Sequence, residues 1–178
     1  TYRLVPTVRV TKIVEYCLAL AASKTGVSIH SFTFMSNHFH MVLTDPRGVL
    51  PDFMKDLDSL ITRNLNAMRG INGRGFEDGY TAKVITDIDA AIAQAAYTLL
   101  NPVAVGLVAR ARGWKGVTSA RMTFGQRRAI RRPRSGIWRA VPRAPKGKVE
   151  IKFMDRVHAM GRTVDGTEFD VTGPLMQV

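Results

Sequence analysis

The sequence predicts a mixed α+β protein built around one main domain, and three observations support this prediction. The chain has 178 residues, of which 46% are hydrophobic, and this is enough for one ordinary core but too little for two. Segments with a helical spacing of apolar residues alternate with short segments rich in β-branched and aromatic residues. The excess of positive charge is confined to one segment in the C-terminal half.

The N-terminal half predicts a helix followed by two strands. Apolar residues keep a helical spacing from Val10 to Lys24, and Gly26 is expected to stop the helix. Residues 27–45 are rich in strand-forming residues and are interrupted at Ser36 and Asn37. Because Asn favours turns, this interruption predicts two strands joined by a tight turn.

A second helix and a glycine-rich loop come next. Pro51 opens a helical period that ends at Gly70. Residues 70–79 contain four glycines and predict a mobile loop. Residues 80–86 predict a short strand.

A third helix is expected to begin at Asp87, its predicted N-cap, and to run to Asn101, where Pro102 should end it. This helix belongs to a stretch of twenty residues without a charge, Ala90 to Ala109. The stretch has the length of a membrane span. Its polar residues and the Asn-Pro pair argue against a span, so we expect no membrane association.

The formal net charge of the chain is +12, and residues 110–149 hold 13 basic side chains and no acidic one. Such a localised excess predicts a polyanionic partner. We therefore expect a basic arm from Arg110 to Lys148 that binds nucleic acid, with aromatic rings for bases and cations for phosphates. Its candidate DNA-binding residues are Arg121, Arg127, Arg128, Arg131, Arg132, Arg134, Trp138 and Arg139. In the alternative interpretation, the aromatic side chains Trp114, Phe124 and Trp138 fix the arm to the domain.

Cys17 is the only cysteine. An internal disulfide and a cysteine-based zinc site are therefore excluded, and the composition fits a reducing cytoplasm. A metal site would have to use His, Asn, Gln or carboxylate ligands.

The sharpest local feature is the segment NHFHMVL at residues 37–43. Side chains alternate along a strand, so His38 and His40 should share one face while the apolar residues between and after them point to the other. Two neutral imidazoles at this spacing can ligate one divalent ion. The alternative is an ordinary, half-exposed pair of strand residues.

The second feature is the segment YTLLNPV at residues 97–103. On a helix, Gln94, Tyr97 and Asn101 lie on nearly one face, which places a phenol among amides. Next to a metal-polarised phosphate, a Tyr hydroxyl can attack phosphorus and hold a covalent intermediate. The alternative is a Tyr that packs its ring and exposes its oxygen.

Together these segments resemble the HUH single-tyrosine transposases, and most closely the REP-associated tyrosine transposases. Ser31–Leu43 (SFTFMSNHFHMVL) resembles the family's strand, turn and HUH strand, and Phe53–Met68 resembles its following helix. Gly75–Tyr80 (GFEDGY) is similar to its Gly-Phe-Gln-Gly-Arg-Tyr region. Tyr97–Val108 (YTLLNPVAVGLV) is similar to its Tyr-x-x-x-Asn-Pro-Val-x-x-Gly-Leu-Val signature. The resemblance covers about 100 residues, from roughly Ile13 to Trp114.

The resemblance implies a ferredoxin-like antiparallel sheet with helices on one face (the HUH nuclease fold), plus the basic C-terminal arm. It also implies a Mg²⁺ or Mn²⁺ site and cleavage of single-stranded DNA beside a hairpin. By position, His38 and His40 become metal ligands and Tyr97 the nucleophile that forms a 5′-phosphotyrosine. Asn101 becomes the third ligand, with Gln94 as the alternative. The metal would polarise the scissile phosphate and stabilise the leaving 3′ oxygen.

The resemblance also implies a domain organisation. Residues 1–112 would form the catalytic domain, in which the family's first strand is expected to be missing or reduced. Residues 113–148 would form the DNA-binding arm, and residues 149–178 an extension of unknown role. We expect a cytoplasmic, nucleoid-associated protein that binds hairpin-forming single-stranded DNA as a monomer or homodimer.

Other functions remain as alternatives. Ser36 stands where the family usually has Pro, and Glu77 and Asp78 replace its Gln-Gly pair. The main alternative is therefore a transposase-derived DNA-binding protein that no longer cleaves. A relaxase-type HUH enzyme fits less well, because relaxases place the Tyr before the His pair. A basic RNA-binding or ribosome-associated protein would leave both motifs to coincidence.

Overall fold

The structure is a computed structural model, and it describes residues 4–76, 79–123, 125–133, 149–152 and 175–177. It shows a mixed α+β protein, which confirms the predicted class. The helices and strands in chain order are α1 (Val8–Thr25), β1 (Ser28–Phe34), β2 (Phe39–Thr44), α2 (Leu50–Arg69), β3 (Lys83–Val84), α3 (Ile88–Ala104), β4 (Arg127–Ile130), β5 (Val149–Lys152) and β6 (Leu175–Gln177).

The first two helices begin and end close to the predicted positions, and local interactions explain these limits. The hydroxyl of Thr7 accepts a hydrogen bond from the amide of Val10 and caps α1. Gly26 and Gly70 end α1 and α2 with φ of 74° and 66°, a left-handed conformation that glycine adopts without strain. The buried carboxylate of Asp45 accepts three backbone N–H groups and fixes the connection from β2 to α2.

The main sheet has four strands in the order β1, β2, β6, β3, and every neighbouring pair is antiparallel. The place between β2 and β3 is thus taken by a strand from the far end of the chain. β4 and β5 form a separate antiparallel pair. The predicted extension, residues 149–178, therefore contributes one strand to each sheet.

The main sheet has a core face and a second face covered by α3. Phe32, Met41 and Leu43 belong to the hydrophobic core, together with the apolar sides of α1 and α2. Val42 is also buried but lies outside that core, because its side chain points the opposite way. The expectation that the helices share one face holds for α1 and α2 and is wrong for α3.

α3 continues beyond the predicted end. Asp87 caps its N-terminus by accepting a hydrogen bond from the amide of Ala90, as predicted. Pro102 lies inside the helix, which runs to Ala104, so the prediction that Pro102 ends it is wrong. A proline in the last turn removes only one intrahelical bond, and the carbonyl of Pro102 still accepts the amide of Leu107 at 2.9 Å.

The first part of the predicted arm packs on the domain. In residues 114–122, Trp114, Val117 and Met122 are buried. The indole N–H of Trp114 donates to the carbonyl of Phe34 at 2.9 Å, and the amide of Phe34 donates to the carbonyl of Val117. Trp114 therefore fixes this segment along β1, which is the alternative that the sequence left open.

Among the residues that the structure describes, no helix is long and apolar enough to cross a membrane.

Candidate active site

His38 lies directly before β2 and His40 lies within it, and the two rings are side by side. Their ring centroids are 5.1 Å apart, and the rings meet edge to face. Met41 and Leu43 point into the core on the other face. The predicted alternation is confirmed, and two imidazoles share one surface of the strand.

The ring of His38 is oriented by its neighbour Asn37. The Nδ1 atom of His38 lies 2.8 Å from Oδ1 of Asn37. An amide oxygen can only accept, so Nδ1 carries the proton and donates. This tautomer leaves the lone pair of Nε2 available for a ligand, which is how an outer partner commonly prepares a metal-binding histidine.

His40 is half-buried between the sheet and α3. Burial and, to a smaller extent, the charge of His38 lower the pKa of His40. A lowered pKa keeps the imidazole neutral near pH 7, and the neutral form is the one that ligates a metal.

Tyr97 reaches this pair from α3. Its ring centroid lies 5.2 Å from that of His40, again edge to face. The two residues are 57 positions apart in the chain. Tyr97 remains 48% exposed, so the residue is accessible from solvent although its ring contacts the histidine.

Asn101 and Gln94 differ in their surroundings. Asn101 is 5% exposed, and its Oδ1 is buried without a hydrogen-bond partner among the described residues. Such an oxygen is costly to leave unpaired, and a divalent cation is one partner that would satisfy it. Gln94 is half-buried one turn before Tyr97. The orphaned oxygen favours Asn101 as the third ligand, and this assignment stays a prediction.

The residues present fit a divalent metal. No three His, Cys, Asp or Glu side chains come together within the described ranges. A metal would therefore bind two imidazole nitrogens and an amide oxygen, with water or phosphate oxygens completing its shell. The amide oxygen and the water or phosphate oxygens suit Mg²⁺ or Mn²⁺, whereas the two imidazoles also suit softer divalent ions, so the identity of the metal stays a prediction.

Two of the predicted DNA-binding arginines have partners inside the protein. The guanidinium of Arg121 donates to the carbonyls of Trp114 and Gly116, at 2.7 Å and 3.2 Å. Arg128 forms an ion pair with Glu15 of α1. Both residues hold the chain after α3 in place, and their contact with DNA stays a prediction.

Three further arm candidates, Arg127, Arg131 and Arg132, lie in the described part of the chain. Arg131 is exposed and Arg132 is half-buried. Arg127 lies in β4, where it pairs with Lys152 in the register of the strands. The following predicted residues lie outside the described part of the chain: Phe124, Arg134, Trp138 and Arg139.

Sequence reasoning treated Asn37 only as a turn residue and missed its contact with His38. A polar side chain directly before a His-x-His strand is the signal that would have found it, because such a side chain is within reach of the first imidazole.

Comparisons of the chain with protein-family models, with curated proteins and with solved structures find no match. The functional assignment therefore depends on the residues and on their geometry.

Proposed function

We propose that the chain is a metal-dependent single-stranded DNA endonuclease and strand transferase that cleaves beside hairpin DNA through a 5′-phosphotyrosine. The observation that carries this proposal is the contact of Tyr97 with His40, which in turn lies against His38. A nucleophile and two metal-ligating side chains thus share one exposed surface. Their meeting depends on the fold, because α3 and β2 are far apart in sequence.

The strand order gives the proposal independent support. A ferredoxin-like unit has the chain order β-α-β-β-α-β. From α1 to β3 the chain follows this order without its first strand. β6 occupies the position between β2 and β3 where that first strand would lie. The expected gap is therefore filled by the C-terminal extension.

The proposed reaction uses the hydroxyl of Tyr97 as the nucleophile. Its oxygen attacks the scissile phosphorus and gives up its proton to water, and the phosphotyrosine bond forms. The bond to the 3′ oxygen of the upstream strand breaks, and this oxygen takes up a proton from water and leaves as a 3′ hydroxyl. The bound metal would supply charge stabilisation for the phosphate and the leaving oxygen. Asn37 keeps the tautomer of His38, and burial keeps His40 neutral, so both imidazoles are ready to bind. Rejoining is the reverse attack by a 3′ hydroxyl on the phosphotyrosine.

The proposal is tested by incubating the full chain with labelled, hairpin-forming single-stranded DNA. We expect a covalent protein–DNA adduct on a denaturing gel with Mg²⁺ or Mn²⁺, and none with EDTA. Labels at the two ends of the DNA distinguish the products, because only the 5′ end of the downstream fragment should stay with the protein. DNA binding without an adduct would instead support the transposase-derived binding protein.

A further inference from the structure

A second polar pocket lies away from the His-Tyr surface, between α2 and the glycine-rich loop. Its volume is about 560 Å³, within the range of small-molecule sites. Asp58, Thr62 and Asn66 line it from successive turns of one side of α2, and Phe76 lines it from the loop. Two arginines, Arg63 of α2 and Arg74 of the loop, also line it. Nothing in the proposed cleavage step uses these residues.

The loop is seated closely on α2. A Cβ atom at Gly75 would lie 2.1 Å from Oγ1 of Thr62, so only glycine permits this approach. The side-chain amide of Asn66 donates to the carbonyl of Gly73 at 2.9 Å and ties the loop to the helix. The pocket is therefore preformed.

Two acceptor atoms in this pocket lack partners. Oδ1 of Asp58 and Oδ1 of Asn66 are both buried, and neither has a hydrogen bond among the described residues. Burial raises the pKa of Asp58 to about 6, so the carboxylate is still mainly ionised at neutral pH. Unpaired acceptors favour a ligand that presents hydrogen-bond donors, and the two arginines of the lining favour one that also carries negative charge. A nucleotide of DNA has both properties.

The aromatic side chain that lines the pocket, Phe76, indicates which class of ligand fits it. The ring of Phe76 offers a face on which a planar base can stack. Phe76 also contacts Phe39, with ring centroids 5.9 Å apart, and Phe39 stands between His38 and His40 on β2. A residue that lines the pocket thus contacts the strand next to the histidines.

We infer that this pocket binds an unpaired guanine of the single-stranded DNA, read by the carboxylate of Asp58 and stacked on Phe76. Guanine is the base that presents two adjacent donors, N1–H and the 2-amino group, and these match the two oxygens of one carboxylate. Asn66 lies two turns further along α2, about 12 Å away, and offers an acceptor to a neighbouring base. The inference rests on the proposed function, because it takes single-stranded DNA as the ligand.

The test measures base preference in the full chain. Fluorescence anisotropy gives the Kd for five strands of eight nucleotides. Seven positions are dT in every strand, and the remaining position, near the middle, is dG, dA, dC, dT or deoxyinosine. EDTA prevents cleavage. We expect the dG strand to bind about tenfold more tightly than the dT strand. Deoxyinosine should fall between them because it lacks the 2-amino group.

Asp58→Asn should remove most of the dG preference, and Asp52→Asn is the matched control. Both changes lie on α2 and both remove one negative charge, but Asp52 is exposed in the first turn, outside the pocket. The control should keep the tenfold preference. Equal binding of dG and dT by the wild type, or an unchanged preference in Asp58→Asn, would overturn the inference.

The ligand series keeps the test valid even where the variant folds poorly, because deoxyinosine probes the same contact in the wild type. Binding of all strands without a dG preference contradicts the guanine site alone. Absence of binding to any strand at low salt contradicts the proposed function as well.

Discussion

Tyr97 combines a ring contact inside the protein with exposure to solvent. Its ring is held by an edge-to-face contact with His40, yet nearly half of the side chain is open to solvent. The other described tyrosines lack this combination. Tyr16 is buried in the core, and Tyr80 is exposed after the glycine-rich loop. Geometry therefore favours Tyr97 as the nucleophile.

Tyr97→Phe should abolish the covalent adduct and leave the Kd for hairpin DNA within a few-fold, because only the attacking oxygen is removed. The ring contact with His40 is retained, so we expect no change in thermal stability. The adduct is measured on a denaturing gel and the Kd by anisotropy. An adduct that persists in this variant would move the nucleophile elsewhere, with Tyr80 as the next residue to replace.

A histidine of the candidate site and a buried histidine should contribute differently to metal binding and to stability. His38→Ala should abolish Mn²⁺ binding in calorimetry while the free energy of unfolding changes little, since this side chain is exposed. His30→Ala is the control. His30 is buried and lies 2.7 Å from the hydroxyl of Thr44, so its loss should cost about 1–2 kcal/mol and leave metal binding intact. A large stability loss in His38→Ala with unchanged Mn²⁺ affinity would make the pair structural.

Asn37 is expected to act through His38. Asn37→Ala should weaken Mn²⁺ binding at least about tenfold, because the ring of His38 loses the acceptor that fixes its tautomer. Asn37→Asp keeps an acceptor at that position and should retain the affinity. Calorimetry on both variants decides the matter. Equal weakening in the two would show that the hydrogen bond does not position the histidine.

At the scale of elements, the sequence predicted most of the local structure. α1, α2 and the hairpin of β1 and β2 follow from apolar spacing and from caps such as Gly26 and Gly70, which act within a few residues. The sequence could not predict whether α3 continues through Pro102, because a proline near the C-terminus of a helix either ends the helix or lies in its last turn. Which of the two occurs is settled by tertiary packing of α3.

α2 carries a carboxylate that burial makes costly. The pKa of Asp58 rises from 3.8 to about 6, so the native state holds this proton more tightly than the unfolded chain does. The protonated carboxyl of Asp58 therefore makes its largest contribution to the free energy of unfolding below pH 4. This contribution is lost as the pH rises through 6. Asp58→Asn should stabilise the protein at pH 7.5 by about 1 kcal/mol, a value reduced for the partial exposure of the group.

The gain in Asp58→Asn should shrink as the pH is lowered toward 4, where the wild-type carboxyl also becomes protonated. Urea unfolding at several pH values measures it. Asp52→Asn serves as the control. Asp52 lies in the first turn of α2, where a negative charge is favourable, so its replacement should be neutral or slightly destabilising. A gain that is the same at every pH would mean that charge burial is not its cause.

At the scale of the whole molecule, residues far apart in sequence complete the main sheet. β6 pairs with β2 and β3, and the segment after α3 covers β1. The pairing of β6 was not predicted, whereas packing of the segment after α3 on the domain was the alternative interpretation of the arm. A strand of three residues leaves no periodic signal, and pairing over more than a hundred residues depends on the rest of the fold. The convergence of Tyr97 on the histidines was likewise expected only through the family resemblance.

The basic arm remains the part of the molecule where charge should determine DNA affinity. Arg121 and Arg128 are engaged inside the protein, and Ile130 is buried in the core, so deleting the arm would damage the fold. Replacement by Gln is the better test. The basic residues between Ile130 and Val149 are Arg131, Arg132, Arg134, Arg139, Arg143, Lys146 and Lys148.

The variant in which these side chains become Gln should show a shallower salt dependence of single-stranded DNA binding. Where half of them contact phosphates, the log-log slope changes by about 2.5, so a fourfold rise in salt costs the wild type about thirtyfold more affinity than the variant. The double variant Arg121→Gln and Arg128→Gln is the comparison and should lose stability, because both side chains have partners inside the protein. A wild-type slope in this variant would show that these two arginines do not contact DNA. An unchanged slope in the Gln variant would show that this segment does not contact DNA and that its charge serves another partner.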